Sequence, residues 1–272
     1  MKRLILTILL CTVSQAATAY DRVVVAGGSV TDILYALGLQ DKIVAVDVTS
    51  YYPKAANNLP KIGYFRQLNA EGILKFRPDL LIGFRAMGPD NVLAQVKAAG
   101  IPVKRLAPDH TTEGLFQMIH ELGEIFQKQD QAKALIQNLK RQLAQIKPSK
   151  QKRKAMFLMG TTDRSLTVTG GNTVPQTLFN LVGIENIFHD IQGTKPVPNE
   201  LVVKRQPDMI IVPDHSINQN TDIRTICQAP ALAATPAGKN CKVLVIDSLM
   251  TLGLGTRLSE AAMQIHSFAT TQ

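Results

Sequence analysis

The 272-residue sequence has no tryptophan, and only 5% of it is aromatic. It holds three cysteines, too few for a scaffold built on disulfides. No collagen or heptad repeat runs through it, which removes the fibrous classes. GxSxG, HExxH, GxxxxGK[ST] and GxGxxG are all missing, so no motif points to a serine hydrolase, a zinc protease, a phosphate-binding loop or a dinucleotide fold. Beyond residue 13 no run approaches the roughly 18 uninterrupted apolar residues of a membrane-crossing helix. With 45% hydrophobic and 19% charged residues, the chain is too apolar to be disordered. Its length fits one large domain or two modest lobes, each with its own core.

The first residues address the compartment. Lys2 and Arg3 precede an apolar run over residues 4–13, and Ala17-Thr18-Ala19 closes it. This pattern predicts a secretory signal peptide cut before Tyr20. A lipoprotein box needs a small residue before the cysteine, and Leu10 precedes Cys11, so the exported chain is expected to be soluble and periplasmic. Export removes two basic residues and no acid, leaving 28 basic against 21 acidic side chains. It also leaves Cys227 and Cys241, whose simplest fate in an oxidising compartment is one local disulfide closing residues 228–240. A thiol metal or redox site would call for CxxC spacing, which is absent.

From Arg22 onward the pattern is that of α/β units. A β-branched run, Gly27-Gly28 and an apolar helical segment ending at Gly38 read as strand, tight turn and helix. Further strands are predicted over residues 43–48, 80–83 and 103–106, with helices over 70–75 and 90–99, and this alternation calls for a parallel sheet. Residues 111–147 contain no proline and only two glycines. Leu115, Ile119, Leu122, Ile125, Phe126, Leu135, Leu139, Leu143 and Ile146 recur there at mostly helical spacing, so one helix of unusual length is expected, with 127–130 as the place where it would break. A second α/β pattern opens at Ala155.

The halves resemble one another. Glu71, Lys75, Pro78, Asp79 and Ile82 recur as Glu200, Lys204, Pro207, Asp208 and Ile211, each 129 residues later. Gly27-Gly28 followed by Leu34 recurs as Gly170-Gly171 followed by Leu178. Two matches in one order favour a duplicated lobe over a chance match of helix, Pro-Asp turn and buried strand. Two α/β lobes joined by a long helix leave a cleft, where ligands preferentially sit.

Few residues offer chemistry. The Gly27-Gly28-Ser29 turn could hold an anion on free N–H groups or merely let the chain turn, and the turn is the better reading. His110, His120, His189, His215 and His266 show no short-range pairing of the kind a transition-metal site uses. Folding could bring His189 or His215 to the cleft. Seven basic residues and no acid lie between Lys140 and Lys154, which reads as a solvated helix end and linker, since export argues against a nucleic-acid partner.

Residues 51–72 are more informative. They hold three of the five tyrosines and fall in loops on the cleft side of the expected sheet. Tyr52-Pro53, then Leu59-Pro60-Lys61-Ile62-Gly63-Tyr64-Phe65-Arg66-Gln67-Leu68-Asn69-Ala70-Glu71-Gly72, resembles the mark of the haemin-binding periplasmic proteins of bacterial haem ABC importers, the HmuT-like group. Their pattern is Tyr-Pro, then Leu-Pro-x-Val-Gly-Tyr-x-Arg-x-Leu-x-Ala-Glu-Gly. The similarity continues through Leu80 to Gly83, the central helix, and the stretch from Thr235-Pro236 to Gly255-Thr256-Arg257.

The resemblance implies a class III (cobalamin/siderophore-type) substrate-binding protein rather than an enzyme. Its fold would be α/β, two Rossmann-like lobes bridged by a long helix with little hinge motion: a signal peptide over 1–19, an N-terminal lobe over 20–110, the bridging helix region over 111–147 and a C-terminal lobe over 148–272. It implies a monomer that carries ferric haem b to an inner-membrane ABC permease dimer with its ATPase. Tyr64 would be the axial iron ligand, a hard phenolate suited to Fe(III), with Arg66 beside it to stabilise the deprotonated form. Lys61, Arg85 and Arg257 would pair with the propionates or be ordinary surface cations. Some relatives carry a His after the first strand of the second lobe, where this sequence has Gly160-Thr161-Thr162-Asp163. A single haem, five-coordinate or completed by water, is therefore expected, with Met159 a weak candidate for the sixth position. Glu71 and Glu200 would dock on the two halves of the permease, although Asn69 and Asn199 also look like helix caps that place a favourable Glu in each first turn. In the same architecture, a ferric siderophore or cobalamin is the alternative cargo.

Overall fold

The computed structural model describes residues 20–162, 164–217 and 222–271. The expected signal peptide, Cys11 and Asp163 lie outside the described residues. The first α/β unit comprises β1 (Val23–Ala26), α1 (Gly28–Ala36), β2 (Ile43–Val46), α2 (Ala70–Leu74), β3 (Leu80–Phe84), α3 (Asp90–Ala98) and β4 (Val103–Leu106). Its four strands pair in the order β2-β1-β3-β4, all parallel.

Two helices follow, α4 (Thr112–Ile125) and α5 (Gln129–Ala144). The expected long helix is thus a pair, and the second member turns back along the first: Lys140 of α5 lies 5.1 Å from the centre of the Phe116 ring of α4. The reversal comes at Gln127, whose φ of 55° leaves the helical region. Gly123 makes it possible, because a Cβ there would stand 2.7 Å from that of Ala132. The apolar spacing continued through the turn because both helices bury a stripe on the same core, and neither proline nor glycine marks the break.

The second unit comprises β5 (Lys154–Thr161), β6 (Ser165–Thr169), α6 (Val174–Val182), β7 (Glu185–Asn186), β8 (Thr194–Pro198), α7 (Asn199–Arg205), β9 (Met209–Pro213), α8 (Ile223–Gln228), α9 (Pro230–Ala233), α10 (Pro236–Lys239), β10 (Val243–Ile246), α11 (Ser248–Leu252) and α12 (Leu258–Thr270). Its strands run β10-β9-β5-β6-β8, with β7 paired to the start of β5. The order β10-β9-β5 repeats β4-β3-β1, all parallel. The copy ends there, because β6 is antiparallel to both β5 and β8. Gly27-Gly28 therefore follows the central strand of its sheet, whereas Gly170-Gly171 follows an added hairpin strand.

The repeated Pro-Asp does the same work twice. The Asp79 carboxylate accepts from the N–H groups of Asp21 (2.7 Å) and Arg22 (3.0 Å), just before β1. Asp208 accepts from the N–H of Lys154 at 2.8 Å, at the start of β5. Asn69 caps α2 as expected, accepting from Gly72 N–H. Asn199 instead is the first residue of α7, and Pro198 occupies the cap position.

Alternation along the strands sets three cores. Val23 and Val25 of β1, Leu80 and Ile82 of β3, Ala155 and Phe157 of β5, and Met209 and Ile211 of β9 all face one shared cluster. Val24, Ala26 and Leu81 face a second cluster on the far side of the first sheet, and Met156, Leu158, Ile210 and Val212 a third on the far side of the second. This is the period of two expected of strands buried on both faces. Leu115, Met118, Ile119 and Leu122 of α4, and Leu258, Ala261, Ala262 and Ile265 of α12, fill the shared cluster at i, i+3, i+4, i+7 spacing. No helix of the described residues is long and apolar enough to cross a membrane.

Cys227 and Cys241 form a disulfide with Cα atoms 5.2 Å apart, fourteen residues from one to the other. A loop of this length constrains the unfolded chain by about 3 kcal/mol. Cys241→Ser should therefore lower urea-unfolding stability by about 2–4 kcal/mol relative to the oxidised wild type; a change below about 0.5 kcal/mol would mean that the core alone holds the segment carrying α8 to α10.

Candidate functional site

The loop after β2 is built on one buried carboxylate. Asp47 is fully buried and accepts from Gly27 N–H (3.0 Å), Thr49 N–H (3.1 Å), Thr49 Oγ1 (2.7 Å) and Ser50 Oγ (2.7 Å). Gly28 N–H donates to Thr49 Oγ1 at 3.1 Å. The first N–H groups of the Gly-Gly turn are thus already bonded inside the protein and do not form an open anion cradle. A Cβ on Gly28 would stand 2.4 Å from the Thr49 carbonyl oxygen, which is why glycine sits there.

The rest of the loop is laced to β2. Val46 N–H donates to Pro60 O, Ile62 N–H to Val46 O and Val48 N–H to Gly63 O, all at 2.9–3.0 Å. Gly63 has φ +90°, a left-handed conformation that turns the chain outward at Tyr64. Tyr64 is 39% exposed and Val48 50%, a shelf of apolar surface that a folded chain usually covers. The Phe65 ring lies 4.7 Å from that of Tyr64. The Arg66 guanidinium lies over Phe65, 5.3 Å from the ring centre, and is not hydrogen-bonded to the phenol. Arg85 follows β3 directly, is exposed, and is anchored only through its backbone N–H to Leu106 O.

Two of the expected cargo cations are already engaged. The Lys61 ammonium donates to the carbonyls of Ser50 (2.8 Å) and Ala56 (3.0 Å), pinning the loop. Desolvation pulls its pKa below the usual lysine range, with the Asp47 charge opposing. Arg257 donates to Glu260 at 2.9 and 3.1 Å and to Asp247 at 3.4 Å, and stacks 4.3 Å from the Tyr52 ring centre. Those bonds, Glu260 first, raise its pKa further. It is neither a surface cation nor a free one.

Arg257 belongs to a junction between the lobes. Tyr51 Oη donates to Asp247 Oδ1 at 3.2 Å and accepts from Leu249 N–H at 2.8 Å. Asp32 of α1 is buried and accepts from Thr256 N–H (2.6 Å) and Oγ1 (2.7 Å). A small cavity of about 10 Å³ lies against Asp32, Tyr52, Gly255 and Arg257. These pairs lie about two hundred positions apart in sequence, and no local pattern in the sequence marks Asp32, Tyr51 or Asp247.

On the second lobe, Asp214 and His215 follow β9 and Ser248 follows β10. Ser248 Oγ bonds both Asp214 Oδ1 and His215 Nδ1. The carboxylate can only accept, so the hydroxyl donates to Asp214, the reverse of a serine activated by histidine. A larger cavity of about 180 Å³ is lined by Leu158, Met159, Gly160, Thr161, Val212, Ser216 and Ile226. Met159 is half-buried against the shared core. His189 bonds Asn186 O through Nδ1, away from this edge. Among the described residues no cluster of three His, Cys, Asp or Glu side chains could hold a bare metal ion.

Glu71 and Glu200 sit in the first turns of α2 and α7, both exposed and, among the described residues, in no ion pair. Each helix leads into the matching strand of its sheet, β3 or β9, so the two carboxylates occupy equivalent places at the strands' C-terminal edges.

The periplasmic binding protein family model matches residues 23–249. The chain is 36% identical to the periplasmic heme binding protein HutB of Vibrio cholerae, covering 92% of this chain and 99% of that one with a TM-score of 0.84. It is 30% identical to the apo periplasmic heme-binding protein RhuT from Roseiflexus sp. RS-1, covering 91% and 97% with a TM-score of 0.85. It is also 31% identical over 219 residues to the vitamin B12-binding protein of Yersinia pseudotuberculosis, covering 78% of this chain and 76% of that protein.

The junction makes a prediction of its own. Burial raises the Asp32 pKa, opposed by its bonds from Thr256, so the folded state binds this proton more readily than the unfolded one. The sign follows: Asp32 weighs most against folding when ionised, and its contribution to stability rises as pH falls through the raised pKa toward the ordinary carboxylate range. Asp32→Ala should cost about 1–3 kcal/mol at neutral pH by stranding the Thr256 donors. The gap between wild type and variant should widen on acidification, measured by denaturant unfolding across pH 4–7; a gap that narrows would contradict the assignment.

Proposed function

The chain belongs to the periplasmic binding protein family, and from that premise we propose that it carries ferric haem across the periplasm, bound through Tyr64, to an inner-membrane ABC permease. Proteins of this family deliver their ligands to such transporters. The observation that carries the choice of cargo is the exposed phenol of Tyr64 on an apolar shelf with Val48 and Phe65, with Arg66 over the Phe65 ring and Arg85 exposed after β3, neither in an ion pair among the described residues. A porphyrin is an apolar plate with two carboxylates on one edge, and iron(III) prefers a hard anionic oxygen. Plate, charge and metal each have a counterpart here. Arg66 and Arg85 suit the propionates better than Lys61 or Arg257, whose bonds stabilise the loop and the junction.

Glu71 and Glu200 are the proposed docking carboxylates, one per lobe, matched to the two-fold symmetry of a permease dimer. The carrier works as a monomer, exported by the signal peptide over 1–19, and the lobes divide near residues 110 and 148 on either side of α4 and α5. Cobalamin is the second reading, favoured by the vitamin B12-binding relatives; in it Tyr64 would stack or hydrogen-bond rather than coordinate.

Titration of residues 20–272 with hemin should give a saturable one-to-one Soret change, not competed by cyanocobalamin, that Tyr64→Ala abolishes. Arg66→Ala and Arg85→Ala should each weaken binding about tenfold, the size of a lost hydrogen bond to a charged group. Saturable cobalamin binding with no hemin site would overturn the assignment. The double variant Glu71→Ala/Glu200→Ala should bind hemin as the wild type does, yet fail to stimulate the ATPase of the reconstituted importer. Undiminished stimulation would remove these carboxylates from docking.

A further inference from the structure

We propose that the basic edge of the second lobe docks the protein on an anionic phospholipid surface. The inference goes beyond the haem reading and rests only on the periplasmic setting.

The charge of the chain is gathered in one place. Between Lys140 and Lys154 lie five lysines, two arginines and no acid, and the rest of residues 20–272 is balanced, with 21 basic and 21 acidic side chains. The whole basic excess of the exported chain therefore sits in one stretch, from near the end of α5 to the first residue of β5. The expected solvated linker is held in shape by its backbone. Ser149 N–H donates to Val182 O at 2.8 Å, Glu185 N–H to Arg153 O at 2.9 Å, and Lys154 N–H to the Asp208 carboxylate at 2.8 Å. Lys140, Arg141, Lys147, Lys150, Lys152 and Lys154 are exposed, and none of them is in an ion pair among the described residues.

Topology enlarges the patch. Strands β5, β9 and β10 run parallel, with Ala155 opposite Met209 and Ile210 opposite Val243, so all three start at one edge of the sheet. Lys204 lies in the last turn of α7 ahead of β9, and Lys239 and Lys242 precede β10. Of the acids beside them, Asp208 is bonded to Lys154 N–H, Asp190 is paired with Arg205, and Glu185 stands opposite Lys154 on β7. The other edge carries the opposite sign. Glu200 opens α7, Asp214 follows β9 and Asp247 follows β10, and Arg257 there is bound to two carboxylates. The second lobe is thus polarised along its strands, and contact at the basic edge leaves Glu200 uncovered.

The residue types select the partner. Lysine is a mobile point charge that suits a sheet of phosphate groups with no fixed geometry, whereas an acidic protein face is matched by arginine forks around an apolar or aromatic centre. No aromatic side chain lies between Phe126 and Phe157, so the patch also lacks the stacking platform of a nucleic-acid groove. Basic clusters of this size gain affinity for anionic leaflets residue by residue. Such contact would keep a carrier on the bilayer that holds its permease, so that it searches a surface rather than a volume.

The test is co-sedimentation of residues 20–272 with vesicles of phosphatidylcholine containing one-quarter phosphatidylglycerol. The protein should sediment with these vesicles at low salt but not with phosphatidylcholine alone. Affinity should fall at least about tenfold in Lys147→Gln/Lys150→Gln/Lys152→Gln/Lys154→Gln, and should fall for the wild type as salt is raised. A variant with the same net charge, Lys75→Gln/Lys97→Gln/Lys195→Gln/Arg224→Gln, should bind as the wild type does. Equal losses in the two variants would mean that net charge alone acts, and would overturn the patch. Failure of the wild type to sediment would overturn it too, and patch-dependent binding to polyglutamate without vesicle binding would reassign the edge to an acidic protein. Inorganic phosphate should displace the protein no better than sodium chloride of equal ionic strength; stronger displacement would mean a discrete phosphate site instead. The patch variant should titrate with hemin as the wild type does, so this result and the haem reading stand or fall separately.

Discussion

The constraint from which the rest follows is the single apolar core that runs through both lobes. The inner faces of both sheets pack on α4 and α12 in one cluster, from Val23 and Ile82 to Phe157 and Ile265. Removing one such side chain from the core costs about 1.5–3 kcal/mol. Opening the lobes wide enough to expose five of them would cost about 10 kcal/mol, more than the roughly 8 kcal/mol that micromolar affinity provides. A wide hinge motion would have to break this shared packing, so the core favours a cleft that changes little in shape.

That rigidity changes how the charged residues should be read. In a hinged binder, cations near the cleft would be free to rearrange on closure. Here Arg257 and Lys61 are fixed in advance, one by Asp247 and Glu260 of its own lobe with the Tyr52 ring of the first lobe stacked on it, the other under the loop that lifts Tyr64. Their work is to hold the shelf. Arg66 and Arg85, in no ion pair among the described residues, stand exposed on the first lobe, where in the proposed function an anionic edge can meet them without reorganisation. Basic composition alone would have counted all four alike.

The sequence was most readable where the physics is local. The strands of the first sheet, the cap at Asn69 and the repeat around Pro78-Asp79 follow from periodicity and hydrogen-bond chemistry within a few residues, and the structure even gives Asp79 and Asp208 the same task. The break expected over residues 127–130 is found, between α4 and α5, but identical periodicity serves two geometries and did not show that the chain reverses there. The stripe from Leu115 to Leu143 suits one long helix or a hairpin of two, and only the close approach of Gly123 to Ala132 decides. The second Gly-Gly pair looked like a copy of the first, yet an added antiparallel strand precedes it, because a two-residue match does not record strand direction. The junction was invisible for a plainer reason: Asp32 and Thr256, or Tyr51 and Asp247, meet only after both lobes have folded.

The same asymmetry bears on delivery. Because the lobes share a core, a carrier of this build cannot let go by swinging open as a free molecule. Release has to come from rupture of a few strong contacts at the rim, and these are the ones a partner bound to both lobes could disturb. Glu71 and Glu200 stand at matching strand edges, at the same end of each sheet as the Tyr64 loop and the His215 turn. A rigid scaffold and one exposed carboxylate at the matching place on each lobe suit the proposed docking, because a scaffold that resists large motion transmits a small displacement of its lobes to the rim.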